Sequence, residues 1–206
     1  AVIEIADLAE RESIQPLLAM IEDASDDVKL AVASTLGFLG ERFHDTTPVS
    51  GLVSMFKKAG GNTDLKYRII ESLGLIGDPE VGRLLSEAID ADEGNPEVLK
   101  EIVNAIGKVK YKPAAKKILK YLTHDEEEVR LATARALGEI GESSVIDDLF
   151  KAADDVSSEV AGNAIISIGK IGDKSCLESL FNMLDLEPKL PAVLEAAVRD
   201  AIDMIK

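Results

Sequence analysis

A five-residue pattern returns along the chain, two aliphatic residues framed by glycines: LGFLG at 36–40, LGLIG at 73–77, IGKVK at 106–110, LGEIG at 137–141 and IGKIG at 168–172. A degenerate sixth copy, IDMIK, occupies 202–206. The starts lie 37, 33, 31, 31 and 34 residues apart. Eight residues before each start stands an aliphatic residue: Val28, Leu65, Val98, Val129, Val160 and Leu194. Self-similarity at such a period marks a chain built from stacked supersecondary units, each too small to bury its own apolar surface.

Each unit reads as two helices. In the fourth copy, Val129, Thr133, Ala136, Leu137 and Ile140 recur at helical spacing and form one buried stripe. Acidic residues 125–128 fill its first turn, where they complement the helix dipole, and Gly141 can take the left-handed conformation that stops a helix. The inner glycines (Gly37, Gly74, Gly107, Gly138, Gly169) each cost about 1 kcal/mol of helix propensity, so their recurrence points to close approach of a neighbouring backbone. A preceding helix shows the same period in Ile14, Leu17, Leu18 and Ile21, and again in Val145, Ile146, Leu149 and Phe150. Asp78-Pro79 and Asn95-Pro96 are helix-start signals. A composition 46% hydrophobic but only 4% aromatic suits close-packed helices better than a β-sandwich. The expected class is therefore all-α, with one continuous core running through the repeats.

Both ends read as unfinished. Residues 1–9 look like the tail of a second helix without its partner, and residues 192–206 read as an apolar helix without a polar cap. A segment of a longer array, or self-association through an end, is the expectation. The start lacks an initiator Met and shows no signal-peptide pattern, so the expectation is that a leader has been removed or the chain was cut from something longer. No apolar run approaches the roughly 20 residues needed to cross a bilayer. A single Cys176 excludes an intrachain disulfide and fits a reducing, cytoplasmic setting. The formal net charge of −15 disfavours nucleic acid and acidic membrane surfaces as partners.

The run from Val129-Arg130 to Ala136-Leu137-Gly138-Glu139-Ile140-Gly141 follows V-R-x-x-A-x-x-A-L-G-x-I-G and resembles the short HEAT-like repeats first associated with phycobilisome lyases. The match spans nearly the whole chain; copy three has Lys110 for the second glycine, and copy six has lost both. The resemblance implies a single solenoid over residues 1–206, a right-handed α–α superhelix of about six helix pairs whose second helices line a concave face. Counting from the aliphatic start, positions +2, +3, +6 and +10 then form the groove strip. Its candidate partner-binding residues are Tyr67, Arg68, Glu71, Lys100, Glu101, Asn104, Lys108, Arg135, Glu139, Asn163 and Lys170. Over all six copies the strip carries five basic residues against four acidic ones (Asp200 is the fourth), so it is near neutral within an acidic shell. Tyr67 and Arg68 are the preferred anchors, because Tyr and Arg are enriched at interface hot spots. The competing reading has these charges merely solvating the inner face and pairing with one another.

Little points to catalysis. His44 and His124 are far apart near different turns and read as solvated loop residues. An acidic patch beside His124 could hold a divalent ion weakly, but a helix first turn explains it equally well. Deoxyhypusine hydroxylases of similar fold use paired His-Glu motifs, and no His-Glu dipeptide occurs here. HEAT-like DNA glycosylases would need a basic groove with aromatics, and this chain has no Trp. Cys176 falls in register with Val145, which favours a buried apolar role over a reactive thiol. Gly60-Gly61 lacks the Lys-Ser/Thr of a phosphate loop and reads as a flexible turn. Inserts at 41–47, 59–64, 90–95 and 186–190 are expected along the edges. The expectation is a non-catalytic scaffold or adaptor without cofactor or metal, binding a protein through its concave face. The alternative is a bilin-lyase-like enzyme or chaperone acting on a tetrapyrrole.

Overall fold

The structure, a computed structural model, describes residues 10–22, 25–92, 94–185 and 189–206. Twelve α-helices and no strand occur among them. The chain divides into two compact units, Ala1–Val109 and Lys110–Lys206, and each holds three helix pairs.

In the first unit α1 (Ile14–Ala19) pairs with α2 (Asp26–Phe43), α3 (Pro48–Lys58) with α4 (Thr63–Ile76), and α5 (Pro79–Ala88) with α6 (Pro96–Lys108). The second helices stack in order, α2 on α4 and α4 on α6. In the second unit α7 (Ala115–Ile118) is a single turn between two 3-10 segments and precedes α8 (Glu127–Ile140). There α9 (Ile146–Ala152) pairs with α10 (Ser158–Ile171), and α11 (Leu177–Leu184) with α12 (Ala192–Ile205). The second helices stack again, α8 on α10 and α10 on α12.

The expected stripe is the core. Val129, Thr133, Ala136, Leu137 and Ile140 are all buried, as are their counterparts Leu65, Ile69, Ser72 and Leu73 in the first unit. Each fully buried Leu or Ile contributes about 1.5–3 kcal/mol over an exposed one, and Leu36, Leu52, Ile70, Leu85 and Ile118 are all below 2% exposure.

The inner glycines are the points where second helices touch. A Cβ on Gly37 would lie 2.5 Å from the Ser72 Cβ, on Gly138 2.7 Å from the Ser167 Cβ, and on Gly169 2.6 Å from the Ala201 Cα. Gly74 is looser, with Ala105 Cβ at 3.3 Å. In these four contacts the receiving residue sits seven positions after the aliphatic start, a place where the sequence carries only Thr, Ser or Ala (Thr35, Ser72, Ala105, Ala136, Ser167, Ala201).

The second glycine of the motif ends the helix where expected: Gly77, Gly141 and Gly172 adopt φ of 73°, 70° and 72°. Gly40 does not. Helix α2 runs on to Phe43, so part of the expected insert at 41–47 is helix, and His44 takes the left-handed position at φ 49°. Gly40 instead makes room for a neighbour, since a Cβ there would stand 2.6 Å from Ile76 Cγ1. In the third copy Lys110 occupies the left-handed position itself, at φ 53°.

Side chains at the helix starts tie successive repeats together. Asn62 accepts from the Leu65 N–H at 3.0 Å while its amide donates to Asp26 at 3.0 Å. Asn95 caps Val98 and reaches Thr63 at 3.0 Å; the Ser157 hydroxyl donates to Glu127 at 2.6 Å. Asp78 accepts from the Glu80 N–H at 2.8 Å, so both Asx-Pro signals are helix caps. The basic residue after the aliphatic start pairs with an aspartate in the next turn, Lys66 with Asp92 and Arg130 with Asp155.

Residues 1–9 lie outside the described residues, as do 186–188 of the last expected insert. The exposed surface of α12 is mixed. Arg199, Asp200 and Asp203 are exposed there, with Arg199 paired to Glu195 at 2.7 Å, and Asp203 stands where other copies have the inner glycine. The apolar residues Leu194, Val198, Ile202 and Ile205 of α12 are buried inside the unit, whereas Val193 and Met204 are exposed.

Candidate functional site

The expected groove strip occupies the second helices of each unit, and its four rows are not equally open. In the second unit Leu131 and Ala132, at +2 and +3, are 7% and 4% exposed. The rows at +6 and +10 remain open: Arg135, Asp200, Glu139, Lys170 and Met204 are exposed. In the first unit Glu101, at +3, is only 6% exposed, so it is removed from any partner's reach; its inclusion among the contact residues is corrected. Tyr67, Arg68, Glu71, Lys100 and Asn104 are half-buried, and Leu75 and Lys108 are exposed.

The two units differ in how far this surface satisfies itself. In the second, the Arg135 Nε donates to Asn163 at 2.9 Å and its terminal nitrogen reaches Glu159 at 3.3 Å, crossing from α8 to α10. Asn163 also donates to the Glu159 carbonyl at 2.8 Å, and Lys170 pairs with Glu139 across the same helices. The partners lie on the next repeat rather than one turn away on the same helix. Every candidate of the second unit is thus already engaged. Exposed pairs of this kind contribute about 0–1 kcal/mol, so they order the surface without making it rigid.

In the first unit Arg68 and Glu71 pair on one helix, and Lys100 is also engaged. Among the described residues Tyr67, Asn104 and Lys108 have no hydrogen-bond or ion-pair partner, and Leu75 adds an apolar side chain 38% exposed beside them. Phe38 on α2 lies below the Arg42 guanidinium, 5.8 Å from the ring centre.

The remaining candidates read as structural. Cys176 is 3% exposed, and burial, reinforced by the nearby Asp173 charge, pushes its thiol above the ordinary value. The His124 Nδ1 accepts from the Glu126 N–H at 3.0 Å, so the imidazole closes the turn before α8. His44 ends α2. Among the described residues no three His, Cys, Asp or Glu side chains converge as a metal site would require.

Arg130 was singled out only as part of the motif, and it is the most enclosed cation on its helix. Its guanidinium grips Asp155 through two bonds of 2.8 and 3.0 Å and donates to the His124 and Asp125 carbonyls at 2.9 and 3.0 Å. Burial pushes the Asp155 carboxyl upward, but Arg130 and the Ser157 N–H outweigh it and hold the pKa below the ordinary value. A cleft of about 220 Å³ beside this pair is lined by Leu119, Leu122, Lys151 and Asp154. In the first unit a cleft of about 170 Å³ occupies the same repeat register, between Ile21, Met55 and Leu65. Both fall below the roughly 300–1,000 Å³ of pockets that enclose a drug-sized ligand.

A family model for HEAT repeats matches residues 49–127 and again 115–202. Among curated proteins none matches the chain. Among solved structures, an engineered protein determined by a structural-genomics consortium aligns with 94% of this chain and 96% of its own at 16% identity and a TM-score of 0.66. The complex of CpcE and CpcF of phycocyanin lyase from Nostoc sp. PCC7120 aligns with all of this chain and 87% of its own, at 18% identity and a TM-score of 0.59. At these identities the likeness is one of fold. No described helix is long and apolar enough to cross a membrane.

Proposed function

The chain belongs to the HEAT-repeat family, and from that premise we propose that it is a non-catalytic interaction module that docks a protein partner on its second helices. The single observation that carries the proposal is the cluster on α4 and α6, where Tyr67, Asn104 and Lys108 keep unspent hydrogen-bonding groups beside exposed Leu75. A partner that supplies matching groups replaces water without first breaking internal pairs. At Arg135, Glu139, Asn163 and Lys170 it would have to break them. The first unit therefore carries the anchors.

Quantitative pull-down with the full chain tests this. Tyr67→Ala and Lys108→Glu each weaken capture of the partner at least tenfold, and Arg135→Ala changes it less than threefold. Capture unaffected by either first-unit change refutes the assignment. A tetrapyrrole-handling activity stays the competing reading only if incubation with a bilin gives a protein-bound absorbance band above 300 nm.

A further inference from the structure

The outer helices of the first unit carry more apolar surface than its core uses. On α3, Val49, Leu52 and Met55 are buried, whereas Val53 and Phe56, one turn apart on a second stripe, remain half-exposed. On α5, Val81 and Leu85 are buried, whereas Leu84 and Ala88, also one turn apart, remain half-exposed. These two spare stripes wall one groove of about 220 Å³ floored by Leu73 and Leu85. An outer helix that met only water would carry polar residues at these positions. The volume is too small for a drug-sized molecule and suits one large apolar side chain.

The rim says which flanking chemistry fits. Glu87 is held by the Arg83 guanidinium at 2.6 Å, and Arg83 also binds Glu80. Lys66, whose ammonium lies 5.6 Å from the Phe56 ring centre, is committed to Asp92, and Lys58 to Glu22. Lys57, on the rim, has no partner among the described residues. The groove thus offers an apolar socket with one unpaired cation, Lys57, at its mouth, near a Glu80–Arg83–Glu87 group of net charge −1. We propose that the α3–α5 groove is a second docking site, which takes a short acidic segment of a protein partner by seating one Leu or Phe and pairing a neighbouring carboxylate with Lys57. This site is separate from the α4–α6 cluster.

The test is an amide-resolved NMR titration of the full chain at 0.15 M salt, where the Debye length of about 8 Å screens the chain's net −15 charge. The probe is the blocked hexapeptide Glu-Asp-Phe-Leu-Asp-Glu, with a Lys-flanked Lys-Lys-Phe-Leu-Lys-Lys counterpart. The expected result is saturable shifts at Val53, Phe56, Leu84 and Ala88 with the acidic peptide and at least fivefold weaker binding of the basic one. Lys57→Glu, an exposed change that leaves the core untouched, reverses that preference. Ala88→Leu, which fills the groove, abolishes both. Tyr67→Ala leaves the titration unchanged, so failure here and failure at the α4–α6 cluster are distinguishable. No shift at the groove, tighter binding of the basic peptide, or indifference to Lys57→Glu overturns the proposal.

Discussion

Gly138→Ala is the substitution on which the packing argument can be pressed hardest. A Cβ there meets the Ser167 Oγ at 2.4 Å, its Cβ at 2.7 Å and its Cα at 2.9 Å. Carbon atoms settle at about 3.5–4.0 Å, so α8 and α10 must part by roughly half an ångström or more at their closest point. The Ser167 hydroxyl also donates to the Ala134 carbonyl at 2.8 Å, a buried bond between the two helices that the new methyl displaces. Overpacking costs about 1–3 kcal/mol and an orphaned buried hydroxyl about 1–3 kcal/mol more, against a helix-propensity gain near 1 kcal/mol. The net is a loss of about 1–5 kcal/mol. Gly74→Ala is the internal control: its Cβ finds Ala105 at 3.3 Å, so the propensity gain nearly cancels a slight squeeze, and the change stays within about 1 kcal/mol of zero. Urea unfolding followed by circular dichroism reads both, with hydrogen exchange at α8 and α10 localising the loss. Adding Ser167→Gly to Gly138→Ala, which removes the Oγ and Cβ but leaves the Cα at 2.9 Å, restores part of it. Equal stability of the two single variants, or no recovery in the double variant, would refute the close-approach account.

Three further outcomes follow from other parts of the chain. Lys110→Gly relieves a left-handed non-glycine residue and raises stability by about 1 kcal/mol in the same urea assay. Asp155→Ala strands the enclosed Arg130 and costs about 3–5 kcal/mol, readable as a fall in thermal midpoint. Acid stability reports Asp45, whose carboxyl is lowered to about 2 by hydrogen bonds from Thr47 and then from Arg11. Because the folded value lies below the unfolded one, its contribution is complete above about pH 4 and is lost as pH falls towards 2; Asp45→Asn flattens that limb of the stability profile.

Most of the fold could be read from the repeat because each glycine position answers to a local rule. The motif's spacing gave the second helices, and within each unit Ser72, Ala105, Ser167 and Ala201 are what the preceding repeat's glycine packs on. Gly40 escaped the reading because a glycine that ends a helix and one that admits a neighbour look alike in sequence; only the position of Ile76 separates them. Arg130 was visible as a motif residue, yet its partner Asp155 lies in a turn whose place depends on the length of α9. The surface strip was legible as a helical period but not as exposure. Glu101 sits at the same phase as Arg68 yet is buried, because neighbouring repeats decide how deep the +3 row lies. The α3–α5 groove left a trace in the apolar density of residues 49–56, which the core alone does not account for.

The docking assignment is tested most directly by photocrosslinking the full chain with a benzophenone amino acid placed in turn at Leu75 and Lys108, on the second helices, and at Asp147 and Glu178, on the outer helices away from the α3–α5 groove. The account predicts that the partner is captured from Leu75 and Lys108 and not from Asp147 or Glu178. Capture from the outer positions, with none from the second helices, would contradict it.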